Sequence, residues 1–256
     1  MNTICKFADI DIYLLYFLEI KIIFVLSMIT KDENELILKQ EFIRELRLLG
    51  QKDTINKYNI IKEASRHGYI SILDWVDKSE NEFKYNVDAI NSASENGHVN
   101  VLEWFNKSPY EFKYTNSAIS NASLKGHTKI LNWFDKSAYE FKYDKRAIDW
   151  ACINGHICVL DWFDKSKYKF KYTKWAIIHA SSGSYINVLE WFDKSNYEFK
   201  YDKWAINNAL TNGHIGVLDW FDKSNHEFKY DNWIIDHEKA NNHTEVIEWF
   251  EKSKYR

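Results

Sequence analysis

The chain repeats itself every 29 residues without drift. Each copy carries a tryptophan in the same neighbourhood: Trp75, Trp104, Trp133, Trp162, Trp191, Trp220 and Trp249. Self-similarity at a fixed period of this size marks an array of small units, each meeting mainly its neighbours. One unit cannot fold alone. Ordering the backbone of 29 residues costs roughly 30–60 kcal/mol. Burying a few large side chains returns only about 2–3 kcal/mol each. The units must therefore stack, and the ends of the stack need caps.

Residues 116–144 show one unit in full. Ala118, Ile119 and Ala122 fall on one stripe of a short helix, with small residues that allow a close neighbour. Gly126 ends that helix, because glycine enters the left-handed region at little cost. Ile130, Leu131, Trp133 and Phe134 form the stripe of a second helix, and Lys136 sits near its negative end. Tyr139, Phe141 and Tyr143 then alternate with Glu140 and Lys142, which predicts an extended connector with its aromatics on one side. The fold class expected is an all-α repeat solenoid of helix-turn-helix units joined by short extended connectors.

Seven units follow this pattern over 59–256: 59–86, 87–115, 116–144, 145–173, 174–202, 203–231 and 232–256. Residues 31–58 read as a degenerate capping unit, in which Phe42, Ile43, Leu46 and Leu49 make a helical stripe without tryptophan. Residues 1–30 are an apolar segment. Within it, 10–29 is long enough to span a bilayer. Glu19 and Lys21 interrupt the run at a cost of about 5–6 kcal/mol, and its apolar residues return a similar sum. Two readings stand for it, a helix covering the end of the array and a membrane anchor.

A formal net charge of −3 and a pI near 6.3 give bulk electrostatics no case for nucleic acid or an anionic membrane. The three cysteines, Cys5, Cys152 and Cys158, cannot form a full disulfide framework. That favours a reducing compartment, with Cys152 and Cys158 as small core residues.

The spacing Ala-Ile-x-x-Ala-x-x-x-Gly-His-x-x-Val-Leu-x-Trp-Phe resembles the ankyrin repeat. Residues 147–163 carry it as Ala147, Ile148, Ala151, Gly155, His156, Val159, Leu160, Trp162 and Phe163. Tryptophan and phenylalanine stand where that family has leucines. The form with Trp-Phe and Asn-Gly-His is similar to the expanded ankyrin families of giant amoebal DNA viruses. The resemblance covers roughly 59–250. It departs from the family in its shorter period, in lacking the Thr-Pro opening, and in the fifth unit, where Ser184 and Tyr185 replace Gly-His. The resemblance implies a non-catalytic scaffold that binds a protein partner through its concave face. It implies a monomer in the cytoplasm, that of the host cell if the source is viral. Two other functions remain beside it, a membrane-tethered scaffold and a substrate adaptor for a ubiquitin ligase. A leucine-rich repeat is the rival fold, and the two helical stripes per unit argue against it.

No cofactor or metal is expected, and no catalytic residues. His98, His127, His156, His214 and His243 form a column, but stacked helices lie about 8–10 Å apart, too far for imidazoles to share one zinc. Hydrogen bonding of these rings to the backbone of the inter-helix turn is the better account. Two lysine columns run along the array, one including Lys136, Lys165 and Lys194 and the other Lys142, Lys171 and Lys200. Each lysine is expected near an acid, which makes a neutralised, solvated ridge.

Positions that vary while their neighbours repeat mark surfaces free to be tuned. In ankyrin-like proteins the first helix lines the concave face. One varying column there runs Asp88, Ser117, Arg146, Trp175, Trp204 and Trp233, and another runs Ser92, Asn121, Trp150, His179, Asn208 and His237. Arg146, Trp150, Trp175, His179, Trp204 and Trp233 are the candidate partner-binding residues, since tryptophan and arginine are enriched at binding hot spots. Packing of these tryptophans into the core against neighbouring connectors is the competing reading.

Overall fold

A computed structural model describes residues 60–78, 83–240 and 243–255, together with Arg44. The apolar segment 10–29 and the rest of the degenerate unit at 31–58 lie outside the described residues. The described residues hold fourteen α-helices and no strand. They come in pairs: α1 (Ile60–His67) with α2 (Ile70–Lys78), α3 (Val87–Glu95) with α4 (Val99–Lys107), and α5 (Asn116–Leu124) with α6 (Thr128–Lys136). Next come α7 (Arg146–Ile153) with α8 (Ile157–Lys165), and α9 (Trp175–Ser182) with α10 (Ile186–Lys194). The last are α11 (Lys203–Thr211) with α12 (Ile215–Lys223), and α13 (Trp233–Ala240) with α14 (Thr244–Lys252). The second helix of each pair starts 29 residues after the one before it, from Ile70 to Thr244.

The described residues fall into two compact units, divided between Ala118 and Ile119. In the first, α1 packs on α3 and α2 on α4. In the second, α7, α9, α11 and α13 pack in succession as one row, and α6, α8, α10, α12 and α14 as another. The first row owes its close packing to alanines such as Ala147, Ala151, Ala176, Ala180, Ala205 and Ala209, all fully buried. In α6, α8, α10 and α12 of the second row the aliphatic pair and the phenylalanine are buried, as with Val159, Leu160 and Phe163, while in α14 Val246 and Phe250 are buried and Ile247 only partly. The repeated tryptophans beside those phenylalanines are only half-buried. The core residue of the Trp-Phe pair is thus the phenylalanine, worth about 1.5–3 kcal/mol on burial.

The sequence sets the helix ends. Gly68, Gly97, Gly126, Gly155 and Gly213 take positive φ between the helices of a pair. At the other end a serine turns the chain. Ser137 Oγ donates to the Phe134 carbonyl at 2.8 Å and accepts from the Tyr139 N–H at 3.3 Å. Beyond it the connector is neither helix nor strand, and it is not the simple extended run that the alternation of Tyr139, Phe141 and Tyr143 predicts: the Lys142 N–H donates to the Glu140 carbonyl at 3.0 Å, a tight turn at Phe141. Adjacent connectors do not pair as strands. Instead the Tyr143 hydroxyl donates to the Lys169 carbonyl at 2.7 Å, and the Tyr172 hydroxyl to the Glu198 carbonyl at 2.5 Å.

Polar and aromatic contacts lock one repeat to the next. The indole N–H of Trp162 donates to Asn132 at 2.7 Å, that of Trp191 to Asp161 at 2.8 Å, and that of Trp249 to Asp219 at 2.6 Å. The acceptor is always the residue just before the previous repeat's own tryptophan. Phe170 stacks against both Trp191 and Tyr197, with ring centroids 5.4 Å and 4.1 Å away, and Phe141 does likewise with Trp162 and Tyr168. Two members of the histidine column bond to turn backbone, as the spacing predicts, while His243 bonds to the Glu238 carboxylate instead. His214 Nε2 donates to the Ser182 carbonyl at 2.9 Å, and in the first unit His98 Nε2 donates to the Arg66 carbonyl at 3.0 Å. Burial pulls the His98 and His156 imidazoles below their ordinary pKa, which keeps them neutral.

Candidate functional site

The candidate surface lies at the N-terminal ends of the first-row helices of the second unit. Arg146 opens α7, Trp175 opens α9 and Trp233 opens α13, while Trp204 is the second residue of α11. Each stands 29 residues after its counterpart. Because α7, α9, α11 and α13 pack in succession, the four residues occupy equivalent places on neighbouring helices, about 8–10 Å apart.

Helix capping fixes where they stand. The Trp204 N–H donates to Asp202 Oδ1 at 3.0 Å, the Trp175 N–H to Thr173 Oγ1 at 3.2 Å, and the Arg146 N–H to Asp144 Oδ1 at 2.9 Å. Such caps stabilise a helix by about 1 kcal/mol. Two of the caps are themselves held by a buried polar side chain of the preceding helix. Asp149 accepts from the Thr173 N–H and hydroxyl, both at 2.8 Å. Asn207 accepts from the Asp231 N–H at 3.0 Å and donates to its carboxylate at 2.8 Å. Trp175 and Trp233 therefore begin helices whose first turns are tied to the preceding first-row helix.

Trp175, Trp204 and Trp233 are 47%, 46% and 54% exposed, and they are the exposed large hydrophobic residues of the described chain. This overturns the reading that packs them into the core. Trp175 stacks on His179 of its own helix, with ring centroids 5.5 Å apart, and Trp233 meets His237 edge-on at 5.9 Å. Trp150 is half-buried, with the Arg146 guanidinium 5.5 Å from its ring. Asp144 holds that guanidinium in place, with Nη2 at 2.9 Å from Oδ2, and the guanidinium keeps the Asp144 carboxyl below its usual range. Burial lowers the His179 pKa, against the nearby Asp149 carboxylate, so the imidazole beside Trp175 is neutral at neutral pH. All six candidate residues thus belong to one face of the first-row helices, and its middle is aromatic.

The lysine ridge is neutralised along most of its length. Lys194 pairs with Glu190 at 3.1 Å, Lys200 with Glu198 at 3.5 Å and Lys229 with Glu227 at 3.2 Å. One connector supplies no acid of its own, and the acids near its lysines come from outside it. Residues 165–174 hold Lys165, Lys167, Lys169, Lys171 and Lys174 and no acid, whereas 136–145 and 194–203 each hold three lysines and two acids. Lys169 stands where the other connectors have Glu111, Glu140, Glu198 and Glu227. All five lysines are exposed. Lys167 reaches Asp135 at 2.9 Å, Lys174 reaches Asp202 at 2.6 Å, and Lys171 lies 4.4 Å above the Tyr143 ring. Comparing the connectors with one another, position by position, exposes this difference; reading the lysine columns alone hides it.

Cys152 is buried, and burial together with the Asp149 charge pushes its thiol well up. Cys158 is exposed instead, contrary to its expected place in the core. Among the described residues no group of three His, Cys, Asp or Glu side chains is placed to hold a metal ion, and no helix is long and apolar enough to cross a membrane. No protein-family model matches this chain, and no curated protein matches it in sequence.

Proposed function

We propose that the chain is a non-catalytic, ankyrin-like scaffold that binds a protein partner over the face bearing Arg146, Trp150, Trp175, His179, Trp204 and Trp233. The observation that carries this reading is the half-exposure of three tryptophans at equivalent positions on successive packed helices. A large rigid indole left in water forgoes about 1.5–3 kcal/mol that burial would return. Each of these indoles already sits on a fixed helix start, so a partner that covers it orders little further. Tryptophan and arginine are the residues on which binding energy concentrates. The ankyrin assignment draws on the Gly-His turns and on the register of helix pairs.

Capture of partners from cells with wild-type protein and with Trp175→Ala and Trp204→Ala variants tests the proposal. Each change should weaken capture at least tenfold, about 1.4 kcal/mol or more, and leave folding stability within about 0.5 kcal/mol. Loss of stability equal to the loss of capture would make these residues structural and refute the assignment.

A further inference from the structure

Each connector between helix pairs carries the same alternation, with aromatics on its inner side and Glu and Lys on its outer side. The connector after α8 breaks it at Lys169. Lys169 and Lys171 are exposed on the stretch 169–173, while Phe170 between them and Tyr172 after them are half-buried. Two residues of chain put their Cα atoms at most about 7 Å apart. Lys167 lies just before them and Lys174 just after, and Trp175 follows at once. From Lys169 to Trp175 is six residues, at most about 20 Å of chain. The most basic stretch among the connectors thus leads straight into the exposed tryptophan column.

We infer that the basic connector is the charged half of the partner surface, and that the partner is a peptide segment in which a short acidic run adjoins aromatic or aliphatic anchors. This rests on the proposed binding face and adds the chemistry of what it takes. The acidic run lies along Lys167, Lys169 and Lys171, and the anchors cover Trp175, Trp204 and Trp233. The run is short because the basic stretch is bounded. Glu140 and Glu198 occupy the position of Lys169 in the neighbouring connectors, both exposed, about 8–10 Å to either side. A continuous polyanion such as a nucleic-acid strand would have to cross those carboxylates. A cluster of a few acids need not.

Lys169→Glu gives a clean test, since glutamate is what the other connectors hold at this place and the fold accepts it there. Two dye-labelled synthetic peptides serve as probes. Both have phenylalanine at alternate positions in the second half. In the first half one has glutamate at alternate positions and the other glutamine. Fluorescence anisotropy at low salt should show the glutamate peptide binding wild type about tenfold tighter than the glutamine peptide. Salt at ~0.5 M should remove most of that preference, because the lysines are exposed. Lys169→Glu should erase the preference with its thermal midpoint unchanged, and Trp204→Ala should weaken both peptides alike. Failure of the glutamate peptide to bind wild type, equal affinity for the two peptides, or a preference that survives Lys169→Glu would overturn the inference. So would an oligodeoxythymidine that binds tighter than the glutamate peptide and is lost with Lys169→Glu. If the preference is absent while Trp204→Ala still abolishes capture of partners, the charge inference falls and the proposed function stands.

Discussion

Asp149 is a buried carboxylate that holds Thr173, the cap of α9, whereas Asn91 and Asn207 in the same column are neutral amides. Asn91 accepts from the Thr115 N–H at 3.2 Å and donates to its hydroxyl at 3.0 Å, so an amide fills the same role in the first unit. Asp149 makes its two bonds to Thr173 while only 5% exposed. Burial pushes its pKa up, and the Thr173 bonds pull against that. A folded-state pKa above the unfolded value means that the folded chain holds its proton more tightly. Stability is then greatest below the unfolded pKa near 3.8, and is lost as pH rises through the folded value. Asp149→Asn keeps both partners of the cap and removes the buried charge. Its thermal midpoint should exceed that of wild type at neutral pH, and the gain should shrink as pH falls toward 4. Thermal melts across that range check it; a midpoint below wild type at neutral pH would mean that the charged bonds to Thr173 outweigh the cost of burial.

At the scale of the helix pair, the inter-helix turn is where one repeat grips the next. A Cβ on Gly126 would stand 2.8 Å from His156 Nδ1, and one on Gly155 would stand 2.4 Å from the Tyr185 ring. At these two turns the glycine is therefore required twice, by its own backbone and by the ring laid over it, whereas Gly213 is required by its backbone alone. The fifth unit breaks the rule. Ser184 takes φ 60 there, and Gly183 beside it does not have positive φ. An L-residue in that conformation costs about 1 kcal/mol. Ser184→Gly should raise folding stability by about 0.5–1 kcal/mol, measured by chemical denaturation; a destabilised variant would mean that the serine makes a contact worth more than its strain. The helix pairs and their turns were legible in the sequence because glycine and the apolar stripes act locally. The locking contacts were not. Trp191 finds Asp161 and Tyr197 finds Asp164 through the angle at which neighbouring repeats meet, and no local propensity encodes that angle. The exposure of Trp175 was equally out of reach, because an indole at a helix start can turn toward the connector or away from it.

Across the whole molecule the eleven tryptophans divide into two populations. Seven recur in the second helices. Among these Trp104, Trp162, Trp191 and Trp249 are half-buried, each with its indole N–H bonded to the preceding repeat. Four belong to the first helices, and Trp175, Trp204 and Trp233 among them are about half exposed. One group bonds repeat to repeat, and three members of the other stand open to solvent. Acrylamide quenching of tryptophan fluorescence separates these roles in a single measurement, when the intact protein is compared with a variant carrying Trp175→Phe, Trp204→Phe and Trp233→Phe together. The strongly quenched component should disappear from the variant, with its thermal midpoint within a few degrees of wild type, about 1 kcal/mol or less. An unchanged quenching profile, or a variant that melts far below wild type, would contradict the division of the tryptophans on which the proposed binding face rests.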